Sequence, residues 1–170
     1  GIPSPFPAWR DARPAALFIT AVLLTVTMAL AITYGVPDGG RHPNVGALVY
    51  ESDGQKRPIC SGALIAPTVF LTAAHCIAHL QFLGVGVSQV WVTFDEVFDP
   101  VNSTFHHGTM HPNPSYSRTP MSDTGDIAVI LLDSPIYSLT PASLPAAGLL
   151  DQLGAKNGLH GRKFTAVGYG

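Results

Sequence analysis

From Val45 onward the chain is dominated by short apolar runs, each cut off by a turn former before helical periodicity can establish itself. Residues 45–51 are the first such run. Ser52-Asp53-Gly54 then supplies hairpin-turn chemistry, because aspartate and glycine tolerate positive φ. Residues 59–65 read as the returning strand, Ala66-Pro67 ends it, and residues 68–72 make another. Further strands are expected over residues 89–94, 127–132 and 162–170, the last closing on a Gly-x-Gly turn. Strands this short, at this spacing and with no convincing helical period, predict an all-β barrel or sandwich. Residues 102–124 and 135–161 read as irregular, the former a polar loop rich in His, Pro, Ser and Thr.

Composition narrows the setting. A length of 170 residues allows one domain, or one and the beginning of another. Only 12% of residues are charged, while 17 glycines and 15 prolines interrupt a 46% hydrophobic background, a balance suited to a β-rich extracellular protein. A net charge of −2 gives no basic footprint, so nucleic acid is not an expected partner. Part of the apolar excess sits in residues 15–31, an uncharged stretch preceded by Arg10 and Arg13 and ending in Ala29-Leu30-Ala31. Basic residues, an apolar helix and a small-x-small ending are the three parts of a secretory signal peptide. The rival reading of residues 1–31 is an uncleaved signal anchor, which would make residues 15–31 the chain's one membrane contact. Either way the remainder is expected outside the cytosol, in an oxidising compartment.

Two cysteines alone do not distinguish a disulfide from two thiols. Their surroundings say more. Cys60 opens Cys60-Ser61-Gly62-Ala63-Leu64-Ile65, and Cys76 closes Leu71-Thr72-Ala73-Ala74-His75-Cys76. Downstream, Gly125-Asp126-Ile127-Ala128-Val129-Ile130-Leu131-Leu132 puts an aspartate at the mouth of a buried-strand pattern. A histidine beside a cysteine is ordinarily a structural residue or half of a metal site, but Cys60, His75 and Cys76 lack the paired close spacings of zinc sites. An aspartate opening an apolar strand is ordinarily a gatekeeper charge. His106, His107 and His111 with Asp123 fall among loop formers, with no periodic element to gather them on one face, and read as a solvated loop.

Taken in order, the three segments resemble the trypsin-like, chymotrypsin-fold serine proteases: their histidine motif, the flanking disulfide and their aspartate motif. The resemblance covers residues 32–170. It implies a double β-barrel, with the first barrel at about residues 32–135 and the crossover and start of the second at 136–170. It also implies that His75 is the general base and acid, that Asp126 orients it, and that Cys60 and Cys76 form a disulfide behind it. Cleavage after Ala31 would expose Ile32-Thr33-Tyr34-Gly35, similar to the Ile-Val-Gly-Gly start of mature family members, with Tyr34 in place of a glycine. The family's serine lies in a Gly-Asp-Ser-Gly-Gly context that the 170 residues do not contain. The expectation is therefore a secreted serine endopeptidase acting on peptides or proteins, represented by a portion that does not hydrolyse them alone. No metal or organic cofactor is required, and a monomer is expected. The alternative is a non-catalytic homologue that keeps the barrel as a secreted binding module.

Overall fold

The computed structural model describes residues 35–117 and 125–169; residues 1–31, Ile32 and Asp123 lie outside them. Six strands form an antiparallel closed barrel: β1 (Val45–Ser52), β2 (Gln55–Ala66), β3 (Val69–Thr72), β4 (Val90–Thr93), β5 (His106–Pro112) and β6 (Ala128–Leu132). Around the barrel the order is β1-β2-β3-β6-β5-β4, and β4 pairs with β1 to complete the ring. Closure removes the free edges that a six-stranded open sheet would leave to aggregate.

Alternation along each strand decides which side chains enter. In β6, Ala128, Ile130 and Leu132 point inward while Leu131 faces out. Leu48, Leu64, Phe70, Val90, Val92 and Met110 meet them in the centre, and Ile136 folds back from beyond β6 to seal the cluster. The β1–β2 hairpin turns where expected, at Asp53 and Gly54, both with positive φ.

Two elements differ from expectation. The stretch 102–124 was expected to be loop throughout, yet β5 occupies its middle. Its inward positions are Gly108 and Met110, so only one large apolar residue marks the strand. Gly108 is small because β6 crosses there: a Cβ would sit 2.6 Å from the Ile130 side chain and 2.7 Å from the Leu131 carbonyl oxygen. Second, a helix, α1 (Ala74–Phe82), follows β3, although the sequence offered no convincing helical period. It is only nine residues long, and its buried face is Ala74, Cys76, Ile77 and Leu80, too short a pattern to register as periodic. A second helix, α2 (Leu149–Ala155), lies on the surface within the stretch expected to be irregular.

Residues 162–169, expected to be a strand, join no ladder among the described residues. A strand needs a neighbour to take its backbone groups. Here the segment's end is tied to the barrel instead. Tyr169 donates its N–H to Ser61 Oγ at 2.8 Å and its hydroxyl to the Asp95 carbonyl at 2.5 Å. Burial pushes that phenol up to about 12.

Close approach also governs Gly62 in β2. A Cβ there would lie 2.3 Å from the Leu71 carbonyl oxygen and 2.5 Å from the Phe70 ring. Backbone oxygen does not rotate aside, so Gly62→Ala forces β2 from β3. The expected result is a loss of about 2 kcal/mol in urea unfolding, within the range for overpacked cores.

Candidate active site

The pairing of β3 with β6 builds the site. Phe70 faces Ile130 and Thr72 faces Ala128, so the chain leaving β3 and the chain entering β6 emerge side by side. Thr72 is nearly buried and donates its hydroxyl to the Ser61 carbonyl at 3.0 Å, fixing the end of β3 against β2. Ala73 remains extended, and α1 begins at Ala74. His75 thus sits in the first turn of α1, opposite Asp126.

Helix α1 has no side-chain cap of its own, since Ala73 has no oxygen to offer. Asp126 supplies one from the approach to the neighbouring strand β6. Its Oδ1 accepts the His75 backbone N–H at 2.8 Å, and its Oδ2 meets His75 Nδ1 at 2.7 Å. A carboxylate at a helix N-terminus satisfies an orphan donor and favours the positive end of the dipole. The hydrogen bond from the His75 ring, followed by that from its backbone N–H, holds the Asp126 carboxyl below the ordinary aspartate range. An ionised Asp126 can only accept, so Nδ1 carries the hydrogen and the lone pair falls on Nε2. The result is an imidazole with its basic nitrogen pointing away from its carboxylate, on a side chain 59% exposed. That arrangement can take up and return a proton.

Behind it, Cys60 of β2 and Cys76 of α1 are joined in a disulfide with Cα atoms 6.3 Å apart. Their sulfurs and the His75 ring lie within 4.8 Å of one another, close enough to suggest a metal triad. A cysteine sulfur binds a metal as a thiolate, however, and both sulfurs here are taken up in the S–S bond.

Ala78, His79, Phe82 and Tyr116 line a shallow open pocket beside His75. Reasoning from sequence missed these four. Three of them stand at i+3, i+4 and i+7 from His75, one face of a helix, and were legible once α1 was granted.

The histidines of β5 are not gathered. His107 faces outward, with Nδ1 2.6 Å from Asp133 Oδ2, Nε2 2.6 Å from the Ser88 carbonyl, and its ring edge-on to Trp91. The Asp133 bond, then the Ser88 bond, raises its pKa, because only the doubly protonated ring can donate to both. His106 lies on the other side of the strand against Phe94, where burial lowers its pKa.

A family model described as Trypsin matches residues 36–170. The chain is 32% identical over 108 residues to chymotrypsin-like elastase family member 3B of Macaca mulatta, covering 60% of this chain and 40% of that protein. The Homo sapiens protein of the same name matches at 32% over 108 residues, 38% of its length. Ovochymase of Halocynthia roretzi matches at 32% over 94 residues, 51% of this chain and 6% of that one. The chain thus spans less than half the length of these curated relatives.

Proposed function

The chain belongs to the trypsin family of serine proteases, and on that footing we propose that it carries the acid–base half of a secreted serine endopeptidase. The observation that supports this most is the double engagement of Asp126 with the ring and the backbone of His75. In the proposed reaction His75 Nε2 takes the proton of a serine hydroxyl as that oxygen attacks the peptide carbonyl. It then returns the proton to the leaving amine. Asp126 fixes the tautomer and stabilises the imidazolium between the two steps. Substrates are peptides or proteins, and the reading needs no metal or organic cofactor.

The same reading makes residues 1–31 a cleaved signal peptide and Ile32 the mature N-terminus, created by signal peptidase without a separate propeptide. An ammonium buried there needs a carboxylate partner to offset its desolvation. Sequencing the N-terminus of the secreted protein tests this, and any start other than Ile32 overturns it.

The reading also requires a serine nucleophile, and the 170 residues hold no Gly-Asp-Ser-Gly-Gly segment. The expected behaviour of the 170-residue chain alone is no peptide hydrolysis. The test is to read the open reading frame past Gly170, express its whole product and label it with a serine-directed fluorophosphonate. A Gly-Asp-Ser-Gly-Gly segment, with labelling that disappears in His75→Ala, is the expected result. A stop codon, or another residue in place of that serine, overturns catalysis and favours the binding module.

A further inference from the structure

We propose that Asn102 is an N-glycosylation site. This rests on the proposed entry of the chain into the secretory pathway. Asn102-Ser103-Thr104 is an Asn-x-Thr acceptor sequence. The chain's other asparagines fail the pattern: Asn44 and Asn157 have glycine and leucine two residues on, and Asn113-Pro114-Ser115 carries the excluded proline.

The fold presents Asn102 well. It lies in the connection from β4 to β5, and both Asn102 and Thr104 are exposed. The tip is a self-contained turn built on Asp99. Asp99 Oδ1 accepts the N–H groups of Val101 and Asn102 at 2.8 and 2.9 Å, and Ser103 Oγ accepts the Asp99 N–H at 2.9 Å. Below the tip, Phe98 and Phe105 meet edge to face and hold the base of the loop. No part of the Asn102 side chain is needed to fill the core.

In the transfer, Asn102 Nδ2 displaces pyrophosphate from the anomeric carbon of a lipid-pyrophosphate-linked oligosaccharide. The N–C bond forms, the C–O bond breaks, the lipid pyrophosphate leaves with the electron pair, and one amide proton is released. The remaining N–H suffices for the single bond that Nδ2 makes to Asp99 Oδ2, at 2.9 Å. The contact with Asp99 thus does not call on both amide hydrogens.

Two features favour occupancy. Val97 and Val101, in the same loop, are 79% and 82% exposed, and a glycan on Asn102 would shelter these apolar side chains from self-association. Position matters as well. Strands β3 and β5 run toward the barrel end that bears His75 and Asp126, while β4 runs away from it. The β4–β5 connection therefore opens at the opposite end, and a glycan there leaves the approach to His75 clear.

The test expresses the chain in animal cells in two versions, one with its own residues 1–31 and one with an established cleavable leader in their place. Glycosylation precedes folding, so cell lysate serves as well as medium. The expected result is a band that drops to the polypeptide's mass with peptide-N-glycosidase, leaving Asp at position 102 in the recovered peptide. Asn102→Gln and Thr104→Ala should each abolish the shift, Thr104→Ser should retain it, and the Asn113 peptide should stay unmodified. A glycan only on the version with the established leader overturns the signal-peptide reading and upholds the sequon. An unmodified Asn102 in both versions overturns the sequon.

Discussion

Asp126→Asn, made in the complete product of the open reading frame, is expected to lower kcat by about 10⁴-fold, the loss this change causes in a Ser-His-Asp triad. The geometry shows why so conservative a change acts so strongly. Asp126 uses one oxygen for the His75 backbone N–H and the other for the ring. Asparagine has one oxygen and one NH2. If the oxygen keeps the backbone N–H, the NH2 faces Nδ1, which must then accept. The ring hydrogen moves to Nε2, and the nitrogen that should take the serine proton no longer can. Because the helix cap survives in that arrangement, stability should change little. Asp126→Ala loses the cap as well as the orienting contact, and its urea midpoint should fall below that of Asp126→Asn at equally poor activity. Steady-state kinetics paired with urea titration check both statements. An Asp126→Asn protein with near-native kcat would remove Asp126 from the mechanism.

The second large effect concerns the disulfide. Cys60 and Cys76 close a loop of sequence separation 16. Constraining the unfolded chain over a loop of that size contributes about 3 kcal/mol in the chain-entropy account. The double variant Cys60→Ala/Cys76→Ala should lose about that much stability, lowering the melting temperature by on the order of 10 °C. Catalysis should suffer too, since the bridge ties the first turn of α1, and with it His75, to β2. Calorimetry and chemical unfolding read the first effect. The second appears as lower kcat in protein kept well below its midpoint. A variant matching the parent in both would make the bridge dispensable.

Much of the barrel was legible because its strands advertise themselves. The unbroken apolar run of β6 and the Ser52-Asp53-Gly54 turn carry enough local signal to place both elements. β5 did not, because its identity is imposed from outside. Gly108 and His107 have little intrinsic preference for a strand, and β4 and β6 recruit the segment by pairing with it. α1 was hidden for a related reason. Its N-terminal cap lies 51 residues away in sequence, at Asp126, where no local capping rule would look. The motif resemblance singled out His75, Asp126, Cys60 and Cys76, which the fold brings together at one end of the barrel. What the motif could not supply was the wall of Ala78, His79, Phe82 and Tyr116, which exists only once α1 has wound and β5 has closed. The terminal segment, expected as a strand, joins no ladder among the described residues, and Tyr169 ties its end to Ser61 and Asp95 instead.

The barrel closes with β6, and the strands and helix that carry His75 and flank Asp126 all end by Leu132. A chain emerging from the ribosome or through a translocation channel therefore has every part of the pair in hand before later segments follow. On the proposed reading, the base and its orienting carboxylate thus belong to one closed barrel and are paired within it. Under the proposed function, hydrolysis would wait on the serine and not on the pairing of His75 with Asp126.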